Sequence, residues 1–265
     1  MTGRIALPSG VVLNTAVDGD GDKPWIILSN SLGANLSMWD GQVGLLSETH
    51  RVLRYDTRGH GQSDAPVGPY SFDDLLADVL GVMDAHEIET ADFMGLSMGG
   101  MTGLGLALEH PDRFKRVICA DGRADAPPPF REMWDTRIAA VEGGGLEAIV
   151  EGTLATWLTE DWRAANPEVL ENVRQMVLSN DPQGYISCCR ALQGLDYLRH
   201  LGKVTIPVFF VGGSEDIGAA PEVMQAMADA TPGGVYVQIP AAAHVANINA
   251  PEAFNAAIKS FLAKG

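Results

Sequence analysis

The stretch Asp92-Phe93-Met94-Gly95-Leu96-Ser97-Met98-Gly99-Gly100 constrains the fold more than any other in the chain. A short apolar run leads into one serine flanked by glycines two positions away on either side. A mostly apolar segment, Met101 to Leu108, follows and suits a helix despite Gly103 and Gly105. This is a strand, a sharp turn and a helix with Ser97 at the apex, the pattern of a nucleophile elbow. The glycines have a mechanical reason. A strand that turns straight into a helix brings both elements close around the serine, where a flanking Cβ would clash. The turn lifts the hydroxyl above the sheet edge, beside the positive end of the helix. Strain of this kind costs free energy and marks functional sites.

The chain of 265 residues can bury one substantial core with an inserted subdomain. Lys and Arg number 18 against 34 Asp and Glu, a formal charge of −16. That disfavours nucleic acid or an anionic membrane surface as a partner, but not a small charged substrate, for which one buried arginine suffices. Met1 to Gly10 has no apolar core of a signal peptide, and no run reaches the 18 apolar residues of a membrane span. The cysteines are Cys119, Cys188 and Cys189. An odd count with two adjacent argues against a disulfide framework and fits a reducing cytoplasm. None has metal-site spacing with a histidine. The sequence sets no oligomeric state.

Read in order, the chain predicts a doubly wound, mostly parallel α/β sheet with an inserted helical cap. Arg4 to Leu7 and Val11 to Val17 form an opening hairpin. Trp25 to Leu28 is a buried parallel strand, followed by the small polar loop Ser29 to Gly33. A short helix is expected around Met38 to Leu46, and a strand over Arg51 to Tyr55. The polar loop Asp56 to Asp64 contains His60, placed better to brace neighbouring turns by hydrogen bonding than to act as a base. Ser71 caps a helix over Phe72 to His86. After the elbow, Arg116 to Ala120 is a strand. Pro127 then opens about 80 residues with helical segments at Phe130–Val141, Leu146–Thr159, Pro167–Asn180 and Tyr185–Leu195. The sheet resumes at Val208–Val211. A helix from Pro221 to about Ala230, a strand at Val235–Ile239 and a helix from Pro251 to near Ala263 complete it. The expected division is core over 1–122, cap over 123–203 and core again over 204–265.

Ser97, Asp216 and His244 fall at successive predicted strand ends in the order nucleophile, acid, histidine. A neutral serine hydroxyl is a poor nucleophile. His244 is expected to take its proton and return it to the leaving group, with Asp216 fixing the imidazole tautomer. Glu215 and Asp121 are the competing acids. Negative charge on the attacked carbonyl needs backbone donors, for which Met98 and Leu32 are the candidates. This chemistry needs no cofactor and no metal.

Several segments resemble the 3-oxoadipate enol-lactonases of the α/β-hydrolase superfamily. They include Leu28-Ser29-Asn30-Ser31-Leu32-Gly33 with Met38-Trp39, and Tyr55 to Gly61. The elbow, Asp181-Pro182-Gln183-Gly184-Tyr185 with Cys188-Cys189, and Ile239 to Asn247 complete the set. The resemblance spans nearly the whole chain. It implies a core with a four-helix cap, a triad of Ser97, Asp216 and His244, and opening of a small lactone through an acyl-enzyme. The sequence departs from the family at Ala219-Ala220-Pro221 and at the cap entrance, Asp121 to Pro129. The family substrate bears a carboxylate, which needs a local donor when buried. Arg123, Arg131, Arg137 and Arg190 are the expected candidates, with Trp134 among the cap aromatics that can line the pocket. A broad carboxylesterase, an acyl-homoserine lactonase and, last, a non-catalytic ligand receptor are the alternatives.

Overall fold

The computed structural model describes residues 2–263. Its strands are β1 (Thr2–Ala6), β2 (Val12–Asp18), β3 (Trp25–Ser29), β4 (Arg51–Tyr55), β5 (Ala91–Leu96), β6 (Phe114–Ala120), β7 (Val208–Gly213) and β8 (Val235–Ile239). They form one sheet in the order β1-β2-β4-β3-β5-β6-β7-β8. The pairs β1/β2 and β2/β4 are antiparallel, and every pairing from β4 to β8 is parallel. The winding reverses between β3 and β5, because β3 continues to β4 on one side and β5 to β6 on the other. Loops leaving adjacent strand ends at such a reversal enclose a crevice.

The helices are α1 (Asp40–Ser47), α2 (Phe72–Ala85), α3 (Met98–Glu109), α4 (Pro128–Gly144), α5 (Val150–Trp157), α6 (Glu160–Ala165), α7 (Pro167–Leu178), α8 (Pro182–Gln193), α9 (Pro221–Ala230), α10 (Ala246–Asn249) and α11 (Pro251–Leu262). Side chains alternate across each strand and fill both faces of the sheet. On one face Ile27, Leu53, Phe93, Val117 and Phe210 pack with Leu75 and Val79 of α2, Leu104 of α3 and Met224 of α9. On the other, Ile26, Val52, Met94, Ile118 and Phe209 pack with Leu46 of α1 and Phe254 and Ile258 of α11. Starts are set by local chemistry. Ser71 and Asp74 form a reciprocal capping box on α2, and the Asp181 carboxylate caps α8 with Pro182 at its first position.

Helices α4 to α8 lie in sequence between β6 and β7. Ile138, Val141, Tyr185 and Cys188 join the first apolar cluster, while Leu154, Trp157 and Val177 join the second. The insertion therefore shares both cores of the sheet. It departs from expectation in three places. The helix expected over Leu146–Thr159 is broken, with a 3-10 turn at Leu146–Ala148 and α5 beginning at Val150. Gly145, at φ 68°, ends α4 ahead of this segment, and the break itself falls at Ile149, between the 3-10 turn and α5. Helix α4 itself runs on to Gly144, because only Gly145 of the three glycines takes the left-handed conformation. Helix α6 was not expected, since six residues are too few to carry a helical period. Among the described residues no helix is long and apolar enough to cross a membrane.

Candidate active site

Ser97 follows β5 with φ 55° and ψ −116°, a left-handed conformation that costs free energy in a non-glycine residue. A Cβ on Gly95 would run into the backbone of Gly99, and one on Gly99 into the backbone of Ser29. The turn is pinned on both sides: Ser97 N–H donates to Ala120 O at 2.8 Å and Gly99 N–H to Asn30 O at 3.0 Å. Between them, the Met98 N–H has no hydrogen-bond partner among the described residues. The Leu32 N–H, in the loop after β3, has none either. Both residues lie at the reversal between β3 and β5.

His244, in the loop after β8, brings the other expected residues together. Its Nε2 lies 2.9 Å from Ser97 Oγ and its Nδ1 2.8 Å from Asp216 Oδ2. The backbone of the histidine loop leans on the insertion. Val245 N–H donates to Trp157 O at 3.1 Å. Asn249 Oδ1 accepts from both Ala243 N–H and Thr159 N–H. The second oxygen of Asp216 accepts the N–H groups of Gly218 and Ala219 at 2.7 and 3.1 Å. Burial opposes ionisation of Asp216, but the charge and hydrogen bond of His244 and these two N–H donors outweigh it and hold its carboxyl below the usual range. Burial would likewise depress His244. The Asp216 carboxylate overcomes it and raises the imidazole above its ordinary value.

Asp121, the competing acid, is fully buried at the end of β6. Its Oδ1 accepts from Gly213 N–H at 2.8 Å and its Oδ2 from Ala246 N–H at 3.3 Å. It thus anchors the loops that carry Asp216 and His244. Burial, reinforced by the nearby Asp216 charge, pushes its carboxyl well up. The two carboxyl groups are unequal, and Asp216 is the one that holds the charge beside the histidine. Glu215, the other competitor, has its N–H on Ala242 O and contributes no side chain to the histidine.

A cavity of about 100 Å³ opens above Ser97, between the sheet edge and the inserted helices. Arg137 and Trp134, one helical turn apart on α4, both line it. Arg137 donates Nε to the Tyr185 hydroxyl at 2.6 Å and Nη2 to Thr153 Oγ1. Both partners are neutral, and no carboxylate pairs with Arg137 among the described residues. Trp134 Nε1–H is buried with no hydrogen-bond partner. Arg123 also lines the cavity, but it is paired with Asp125 at 3.2 Å, donates to Gly218 O and lies over the Phe130 ring. Arg131 and Arg190 require correction, because the structure places neither at the cavity. Arg131 is exposed and donates to Ala126 O. Arg190 is on the surface, paired with Asp135 at 2.8 Å. Both occupy the outer side of their helices, a distinction that helix position alone did not draw. Thr153 and Tyr185, the residues that seat Arg137, were given no role from the sequence, where Tyr185 entered only within a segment of family resemblance, since a lone hydroxyl in a helix carries no signal.

The fold, the elbow and the charge pair place the chain in a recognised class. The family model of the alpha/beta hydrolase fold matches residues 24–251, and the chain belongs to that family. Within it the chain groups with the 3-oxoadipate enol-lactonases. It is 36% identical to 3-oxoadipate enol-lactonase 2 of Acinetobacter baylyi, covering 95% of this chain and 93% of the relative. It is 34% identical to enol-lactonase 1 of the same organism, covering 92% and 91%. The crystal structure of the enol-lactonase from Burkholderia xenovorans LB400 superposes with a TM-score of 0.95 at 40% identity, covering 98% of this chain and all of that one. The chain is accordingly a hydrolase of carboxylic esters.

Proposed function

We propose that the protein opens a small lactone bearing a carboxylate, with 3-oxoadipate enol-lactone the best-fitting substrate, and that the inserted helices act as the cap that recognises it. The observation that carries this reading is the pairing of Arg137 and Trp134 in the cavity wall. An arginine whose side-chain partners are all neutral, beside the Trp134 ring in the wall of the cavity that Ser97 also lines, suits a substrate carboxylate. A small cavity suits a five-membered ring better than a long acyl chain.

In this reading Ser97 Oγ attacks the lactone carbonyl while His244 Nε2 takes its proton. The tetrahedral oxyanion accepts from the Leu32 and Met98 N–H groups. On collapse the ring C–O bond breaks, His244 returns the proton to the enol oxygen, and the enol becomes a ketone while still attached. Water, deprotonated by His244, then attacks the acyl-enzyme. The Ser97 ester bond breaks, the proton returns to Ser97, and a second carboxylate is released.

Steady-state hydrolysis of 3-oxoadipate enol-lactone, an uncharged γ-lactone, a long-chain acyl-homoserine lactone and p-nitrophenyl acetate tests the reading, with Ser97→Ala as the blank. A kcat/KM for the enol-lactone far above the other three, lost in the blank, is the expected result. Good turnover of the neutral lactone or ester without the enol-lactone would overturn the carboxylate specificity and leave an esterase. Preference for the acyl-homoserine lactone would overturn the size argument.

A further inference from the structure

The loop that carries Leu32 is a β-turn, closed by Ala34 N–H donating to Ser31 O at 3.0 Å. Gly33 is its third residue, at φ 84°, as a type II turn requires. Glycine does not hold that conformation by itself. It takes the mirror-signed φ of a type I turn about as readily, by rotation of the peptide between Leu32 and Gly33. That rotation swings the Leu32 C=O and the Gly33 N–H; the Leu32 N–H belongs to the preceding peptide and keeps its place only while the turn as a whole does not shift.

Two side chains from different parts of the fold oppose both the rotation and a shift of the turn. His60, wholly buried in the loop after β4, accepts Gly33 N–H at Nε2 over 2.9 Å. Its proton therefore sits on Nδ1, which donates to Arg58 O at 3.1 Å. The ring packs 6.3 Å from that of Tyr185. Asn180, buried where α7 meets α8, donates Nδ2 to Gly33 O at 2.7 Å. The same Nδ2 lies 3.0 Å from Met176 O and Val177 O, and Asn180 Oδ1 accepts Gly61 N–H at 2.9 Å. A flipped amide would face three carbonyl oxygens with another oxygen, so its orientation is fixed. Gly33 is thus held by its N–H from the sheet side and by its C=O from the insertion.

We propose that His60 and Asn180 are positioning residues of the oxyanion hole, clamping the Gly33 peptides so that Leu32 N–H faces the transition state. This rests on the Leu32 role given above, but not on which lactone or ester is turned over. A donor aimed at developing charge acts on kcat and leaves ground-state binding nearly untouched.

The test uses the full-length protein with p-nitrophenyl acetate, or with the fastest substrate of the panel, and four variants checked for folding by thermal melting. His60→Gln keeps an acceptor near the Nε2 position and is expected to retain kcat within about threefold. His60→Leu and Asn180→Leu are each expected to lower kcat by roughly 10–100-fold with KM within about twofold. The double leucine variant is expected to be little worse than the poorer single one, since both act on one turn. Asn180→Ala replaces the leucine variant if that one does not fold. Losses carried by KM, equal losses in His60→Gln and His60→Leu, or full additivity would overturn the proposal. Activity persisting in Ser97→Ala would instead sink the serine mechanism, a separate outcome.

Discussion

Arg137 Nε donates to the hydroxyl of Tyr185 at 2.6 Å, tying α4 to α8 across 48 residues of sequence. The tyrosine is buried and its ring lies beside His60. A flexible cation is thereby converted into a fixed part of the cavity wall, and less conformational freedom is lost when a substrate binds it.

Replacing Arg137 by leucine removes the charge that suits a carboxylate. For the enol-lactone KM is expected to rise roughly 10–100-fold, the worth of a hydrogen bond to a charged group. For p-nitrophenyl acetate it is expected to stay nearly constant. Arg131→Leu and Arg190→Leu, on the outer side of the insertion, are expected to leave both substrates unaffected. Steady-state kinetics of the three variants on the two substrates reads this directly. An unchanged KM for the enol-lactone in Arg137→Leu would remove the basis for carboxylate recognition.

The charge pair predicts the pH profile. In the proposed mechanism His244 must be neutral to accept the serine proton, and Asp216 raises its pKa above the ordinary 6.5. Activity of the wild type is therefore expected to fall as pH drops through a value above 6.5. In Asp216→Asn the largest raising influence is gone, burial and Arg137 are opposed only by Asp121, and the acid limb of kcat/KM is expected to move to lower pH. The same variant is expected to lose roughly 10⁴-fold in kcat through loss of the correct tautomer. A limb that stays in place would mean that Asp216 does not set the charge of His244.

Two glycines predict opposite changes in stability. In Gly95→Ala the new methyl meets the backbone of Gly99 and Gly100, which has no room to yield. A loss of about 2–3 kcal/mol is expected. Gly44 lies exposed within α1 with open space where a Cβ would go. Gly44→Ala is expected to gain about 0.5–1 kcal/mol from helix propensity. Thermal or urea unfolding of both variants distinguishes the cases by sign.

The sheet was legible in the sequence because its parallel strands are short continuous apolar runs between polar loops. Ser97, Asp216 and His244 could be placed because each follows such a run, so strand order alone carried them to one edge. The break at Ile149 escaped notice because Leu146 to Thr159 keeps a helical composition on both sides of it. Arg137 could not be separated from Arg131 and Arg190 for a different reason. All three sit on helices, and which side faces the cavity depends on how α4 and α8 pack. The bracing by Asn180 was invisible, since its partner Gly33 lies 147 residues away.

Where α8 begins, Gly184 touches Gly59 so closely that a Cβ on either would collide with the other's backbone. Asp181 N–H donates to Gly59 O at 3.2 Å in the same seam. Among the described residues no glycine of α4 makes such a contact: Gly143 has open space where a Cβ would go and Gly144 would meet only Ala148. Divergence among descendants of this chain is therefore channelled: new specificities can be written into α4, while the first turn of α8 must be inherited together with the loop it meets.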